Sequence, residues 1–295
     1  MTTMRDLIAD TRRMAYGTLH DQINLVAENA DIGATAIKMQ LDVSNITPGM
    51  LLAADLNVWY VRQVDTTNNT VYVVPGFDNS PQKEVVAGDF VFIKPRVTDW
   101  YLFYTMNQEI LRLSSPSNGL YQLKKFTQQV DPTWQTYDMP DSDYQSFIAW
   151  ARIRYRMPGT PDVWMDIPNK SYRFQNEGGT ARIRLLRNIP SGTEIEFIYK
   201  ATFDEAYDLS DDVVAVCGLS PEMTDIPTLG ALSTLLRTTD ARRMQVQTQG
   251  DARRANEVQG GSNSQFAAQI DRDHKDRIQE EYIRLVSRMS IAGNL

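Results

Sequence analysis

An α+β fold, with helical stretches flanking two separate β units, is predicted from three observations. Apolar residues recur with a helical period toward both ends of the chain. Short period-two runs fill residues 34–94, and longer ones recur between 149 and 199. The 295 residues exceed one average domain, and the 42% apolar fraction is spread along the chain, so more than one core is expected. The order of elements divides the sequence into five stretches. These are an N-terminal helix with its lead-in (1–32), a small β-barrel-like unit (33–96), an aromatic helix with its linker (97–118), an antiparallel β-sandwich (119–206) and a helical region with a loose tail (207–295).

The first helix is expected over residues 2–19. Met4, Leu7, Ile8, Met14 and Ala15 share one stripe, the charges lie elsewhere, and Gly17 supplies a stop. Five short strands follow, at Ala34–Leu41, Met50–Ala54, Val58–Val64, Thr70–Val74 and Glu84–Ile93. Turn chemistry separates them: Thr47-Pro48-Gly49, Asp65 to Asn69, Pro75-Gly76 and Gly88-Asp89. Such spacing suits a small barrel or half-barrel, SH3-like or OB-like. Thr98 and Asp99 then cap a helix over Asp99–Leu113 with Trp100, Phe103, Tyr104, Ile110 and Leu111 as its apolar stripe.

Longer strands define the second β unit. In Ala149–Met157 the residues Ala151, Ile153, Tyr155 and Met157 alternate with Arg152, Arg154 and Arg156, one face buried and one wet. Ala181–Leu186 and Thr193–Tyr199 repeat the scheme, with Ile183, Leu185, Ile195, Phe197 and Tyr199 inward and Arg182, Arg184, Glu194 and Glu196 outward. Beyond residue 207 a short helix is expected at Asp211–Val216. Pro227 is expected to interrupt any helix through it, Leu229, Leu232, Leu235 and Leu236 form the next stripe, and a final helix runs from 263 to 289. Phe266, Ile270, Ile278, Tyr282, Leu285, Val286 and Met289 form its apolar face, and Glu280 and Glu281 sit where each can pair with Arg284.

Little here points to catalysis. Two histidines, His20 and His274, and one cysteine, Cys217, are too few for the usual zinc sites, and no phosphate-binding or nucleophile-elbow motif occurs. Cys217 follows Val213 to Val216 and reads as a buried, inert thiol. The acidic groups Asp211-Asp212, Asp138/Asp141/Asp143 and Asp271/Asp273/Asp276 read as capping, loop and wet helix face. No enzyme, cofactor or metal is expected. The arginine ladder of 152, 154 and 156, with Arg182 and Arg184 beside it, could hold phosphate or an acidic partner; pairing with Glu194 and Glu196 is the simpler expectation. Trp134, Trp150 and Trp164 are expected in the core, whereas exposed ones would suit carbohydrate stacking. A net charge of −7 argues against a protein that grips nucleic acid, while an acidic surface would let DNA slide past. The N-terminus, Met1 to Arg13, lacks the apolar stretch of a secretory signal, and no run approaches the roughly 18 apolar residues that span a bilayer. Synthesis in a cytoplasm and no membrane association are expected.

The C-terminal region carries a resemblance. The run Ile226-Pro227-Thr228-Leu229-Gly230-Ala231 is followed by Gln249 to Val258, which contains Arg253 and Arg254, then by Gly260-Gly261-Ser262 and by Arg277-Ile278-Gln279-Glu280-Glu281. Over roughly the last 70 residues this resembles the head-to-tail connector, or adaptor, proteins of tailed bacteriophages, especially those of actinobacteria. Many adaptors are shorter and mostly helical, whereas this chain has two β units. The resemblance implies a structural protein of the virion, in a ring of commonly twelve copies beneath the portal protein, at the junction of head and tail. Its partners would be the portal, neighbouring copies and a downstream connector or tail protein, with DNA only as passing cargo. Arg253, Arg254, Phe266, Ile270, His274, Ile278, Tyr282 and Leu285 are then the expected interface residues. Two other readings stand beside this one: a tail-associated protein that binds host-surface glycan through the sandwich, and a capsid decoration protein.

Overall fold

The computed structural model describes residues 2–17, 21–130, 136–140, 145–157, 159, 163–177, 180–186, 189, 192–249 and 262–292. The chain is mixed α+β, and its contacts gather it into two compact units, Met1–Ile110 with Glu205–Glu280 and Leu111–Asp204 with Glu281–Leu295.

In the first unit, helix α1 (Met4–Tyr16) starts at a capping box. Thr3 Oγ1 accepts the Asp6 N–H, and the Asp6 carboxylate accepts the Thr3 N–H at 2.9 Å. Gly17 ends the helix with a φ of +63°, which costs glycine least. Met4, Leu7, Ile8 and Thr11 are its buried face. Thr11 can lie there because its hydroxyl donates to the Leu7 carbonyl at 2.9 Å. Met14, expected on that stripe, is instead 54% exposed, because the last turn packs through Ala15.

Six antiparallel strands follow: β1 (Gln22–Leu25), β2 (Ala36–Lys38), β3 (Leu51–Ala54), β4 (Asn57–Asp65), β5 (Thr70–Val74) and β6 (Phe90–Ile93), in the order β1-β6-β3-β4-β5-β2. The sheet curls until its end strands meet. Val26 bridges Met39, the Ala27 N–H donates to the Lys38 carbonyl at 2.8 Å, and the Gln40 N–H donates to the Leu25 carbonyl at 2.7 Å. The buried Asn24 extends the seam by accepting the Leu41 N–H at 3.0 Å and donating to the Leu41 carbonyl at 3.2 Å. Val26, Ile37, Met39, Leu52, Trp59, Val61, Val71, Val73, Val91 and Ile93 fill the interior. Strand β1 lies in the stretch read from sequence as lead-in; four residues ending in a buried asparagine and a leucine give too little alternation to see. The run Glu84–Ile93 is a strand only from Phe90, since Val85 makes an isolated bridge to Ala30 and Val86 to Asp89 is a turn.

Helix α2 (Asp99–Leu113) has the predicted bounds, and Thr98 Oγ1 accepts the Tyr101 N–H. Its buried face is Leu102, Phe103, Met106, Ile110 and Leu113, rather than the side carrying Tyr104, which is exposed. Residues 213–217 form turns and not the expected helix. The Asp212 carboxylate accepts the Val214 N–H, and Asp212 bridges to Thr3. Cys217 is buried, as expected. Helix α3 (Asp225–Gln249) runs through Pro227, contrary to the sequence reading; proline sits in the first turn, where its missing N–H had no partner to lose. Helix α4 (Ser262–Ala292) follows. Leu232 and Leu236 of α3 pack on Ala267 and Ile270 of α4, joined by Ala15 and Leu229.

The second unit is a sandwich of two antiparallel sheets. Strands β7 (Gln122–Gln129), β9 (Phe147–Arg156), β10 (Trp164–Asp166) and β13 (Glu194–Ala201) form one sheet in the order β10-β9-β13-β7. The other contains β8 (Thr136–Asp138), β11 (Tyr172–Glu177) and β12 (Thr180–Leu185), ordered β11-β12-β8. Tyr137, Tyr172, Ile183 and Leu185 from the small sheet meet Ile153, Ile195 and Phe197 from the large one in a shared core. The predicted alternation of β9 fails in its first half. Its register against β13 slips twice, so that Tyr199 faces Trp150 and Ala201 faces Phe147. Those bulges turn Phe147 into the core beside Trp150, which was expected there, in place of Ala151, and Met157, expected inward, is exposed.

Candidate assembly surface

The residues expected at an interface do not behave as one face. Ile270 and Ile278 are each only 8% exposed, and Ile270 is consumed in the contact with α3. Phe266 and Tyr282 are exposed, while His274 and Leu285 are half-buried. Arg253, Arg254 and His20 lie outside the described residues, as do Trp134, Asp141 and Asp143. The helix follows a period of 3.6, so a row written over 24 residues drifts off any single face. Ala267, Ile270, Ile278 and Glu281 are the side turned inward, and Phe266, Tyr282, Ile283 and Val286 the side left to solvent.

Arg277, in the last run that carries the resemblance, is tied to the residues just before the first. The Arg277 guanidinium donates to both oxygens of Asp225, at 2.8 and 3.2 Å, and to the Glu222 carbonyl at 2.8 Å. Asp225 opens α3, so the clamp pins the start of one helix to the middle of the other. The Asp225 carboxylate, and then Glu280, push the Arg277 pKa above its ordinary value. Glu280 thus pairs backward with Arg277 and not forward with Arg284, which pairs with Glu281. Sequence reasoning missed Asp225 and Glu222, because a pair separated by 52 positions leaves no periodic trace.

A cleft of about 440 Å³ opens between α1 and the barrel. Ile8, Ala9, Ala54, Val85, Phe90 and Phe92 give it apolar walls. Arg5–Asp55 at 3.0 Å and Arg12–Asp99 at 2.8 Å are ion pairs on its lining. Arg12 also lies 5.5 Å over the Phe92 ring and donates to the Val97 carbonyl. Burial raises the Asp99 pKa against the opposing pull of Arg12. The cationic groups of this cleft are already engaged, and its lining offers neither histidine nor thiol for chemistry.

On the sandwich, the arginine ladder is spent on internal partners. Arg154 pairs with Glu196, Arg156 with Glu194, and Arg152 with Asp166 at 2.6 Å. Glu196, expected to face water, is 2% exposed. Burial would raise its pKa, but hydrogen bonds from Arg154 and Lys125 outweigh that and hold it below the usual carboxylate range. Arg182 is on the other sheet and pairs with Asp138 at 2.8 Å, so it does not extend the ladder. Trp150 is in the core, stacked on Phe174. Trp164 is half-buried, with the Arg154 and Arg156 guanidiniums 5.1 and 5.2 Å from its centre, so cations occupy the surface a sugar would stack on.

Asp271 is held between Arg237 and Lys275, and Asp273 accepts from Gln269, as expected of an ion-paired helix face. Among the described residues no group of three or more His, Cys, Asp or Glu side chains could hold a metal ion, and no helix is long and apolar enough to cross a membrane. No protein-family profile and no curated protein matches this chain.

Proposed function

We propose that this chain is a structural, non-enzymatic protein of a tailed-phage virion, a ring component of the head–tail junction that bridges the portal to the next connector or tail protein and lets DNA pass. The observation that carries the reading is the junction of the two C-terminal helices. The runs Ile226–Ala231 and Arg277–Glu281, which resemble connector sequences, lie in different helices, and Arg277 clamps those helices together through Asp225, which immediately precedes the first run. A helical pair joined by this clamp, with Phe266 left exposed on α4, is suited to docking on a protein platform. The net charge of −7 fits a component that DNA passes without sticking.

Cryo-electron microscopy of the purified particle tests this directly. Ring density for this chain beneath the portal is the expected outcome; density at the tail tip or over the capsid surface overturns it. Reversing Arg253 and Arg254 to glutamate is expected to impair head–tail joining, and unimpaired joining removes that pair from the interface.

A further inference from the structure

Among the described residues the four-stranded sheet of the sandwich ends in two edges of complementary direction. Each strand is antiparallel to the next, so β7 at one edge runs opposite to β10 at the other. A copy placed alongside would continue the same antiparallel pattern. The hydrogen-bond phase fixes which residues face outward. Val130 donates to Thr193 at 2.8 Å, so the even-numbered residues of β7 bond to β13, and Leu123, Lys125, Thr127 and Gln129 turn their N–H and C=O groups to the open edge. At the other edge Ile167 donates to Ile153 at 2.9 Å, which leaves the backbone groups of Trp164 and Asp166 outward.

Side chains agree with this phase. Register places Lys125 and Thr127 on the same sheet face as Arg154 and Glu196, and Trp164 and Asp166 share that face. Pairing the edges with Lys125 opposite Asp166 puts Thr127 opposite Trp164. Outward backbone then meets outward backbone, and a lysine meets a carboxylate. Both charged side chains are more than half exposed, at 66% and 52%; within one copy Lys125 lies 3.2 Å from Glu196 and Asp166 2.6 Å from Arg152, so a Lys125–Asp166 contact between copies would join two existing ion pairs into one network. Strand β7 is regular over eight residues, with neither proline, glycine nor bulge. Such an edge is a template for another strand unless something covers it.

We propose that copies of this chain join head to tail through these edges, β7 of one adding to β10 of the next, with Lys125 of one copy bonding Asp166 of its neighbour. A heterologous contact of this kind closes into rings when its rotation allows. The inference rests on the ring reading only for the closure. The edge contact itself stands on the strand geometry.

Charge variants of the full chain test it by complementation. Lys125→Asp leaves acids at both edges and Asp166→Lys leaves cations at both, so each alone is expected to stay monomeric in sedimentation where the wild type associates. Mixed in equal amounts, the two variants alternate, and association returns. Thr127→Pro removes only an outward N–H and is expected to abolish association while keeping the wild-type circular dichroism spectrum. Variants that associate like the wild type, a mixture no better than its components, a wild type that stays monomeric throughout, or a symmetric dimer through β7 alone would each overturn the proposal. The two readings fail separately. Rings that ignore these substitutions sink the edge contact, while edge-dependent association with density away from the portal sinks the head–tail location.

Discussion

The two β units treat their sheet ends in opposite ways. The six-stranded sheet curls until β1 and β2 meet, and Asn24 supplies the polar contacts that short strands cannot. Among the described residues the four-stranded sheet does not close, and it covers its inner face with a second sheet instead. A curled sheet satisfies its own backbone and needs no neighbour, whereas an open one keeps a row of donors and acceptors for whatever meets it. The same physical chemistry gives a self-contained module in one case and an adhesive one in the other.

Substitutions can break this contrast at several levels. The largest effect is expected in the shared core of the sandwich. Phe197→Ala removes a fully buried ring contacted by Phe126, Tyr137 and Trp150, and should cost about 3–5 kcal/mol in chemical denaturation. A loss below about 1 kcal/mol would mean the two sheets do not depend on their common core. Next comes the barrel seam. Asn24→Leu strands the Leu41 backbone groups and should cost about 2 kcal/mol, with faster hydrogen exchange at the Ala27 and Gln40 amides. Unchanged exchange there would show that closure does not need Asn24. A smaller effect, about 1 kcal/mol, is expected from Thr3→Ala, which removes the capping hydroxyl of α1.

The mildest test uses pH, and the two units should respond with opposite signs. Glu196 of the sandwich has a lowered folded-state pKa, so its contribution is complete above the ordinary glutamate value and is lost as pH falls through the lower folded value. Asp99, in the unit with the barrel, has a raised one. Below the ordinary aspartate value both states are protonated and it costs nothing; the cost grows as pH rises from there to the raised folded value. Acidification should therefore weaken the sandwich through Glu196 and relieve the other unit through Asp99. Glu196→Gln should flatten the first dependence and Asp99→Asn the second, in thermal melts recorded across the acid range. Dependences of the same sign in both would refute the assignment.

The helices were legible where caps and stops are local. Gly17, and Thr98 before Asp99, each announce a boundary within a few residues, and α2 has its predicted span. The Thr3–Asp6 capping box is equally local but plays no part in the sequence reading, which starts the first helix at residue 2 rather than Met4. The arginine and glutamate alternation of β9 and β13 likewise announced its own cross-strand pairs. Errors arose where a local rule met a longer-range constraint. Pro227 reads as a breaker until its place in the first turn is known, and Ala151 reads as an inward position of β9 until two bulges shift the register and bring Phe147 inward beside Trp150. Of the residues expected at an interface, Phe266 and Tyr282 are exposed and Ile270 and Ile278 are buried. A helical stripe shows that a face is apolar but not which surface, internal or external, will cover it.

By itself, then, the sequence determined the α+β class, the two β units, the caps and the alternating faces, because each depends on residues within a few positions of one another. Tertiary structure alone decided that the first sheet closes while the second stays open, that Arg277 reaches Asp225 across 52 positions, and that Glu196 is buried between cations. Those outcomes depend on which strands and helices become neighbours, and the strength of a charge or an unpaired edge is set by the neighbours it acquires.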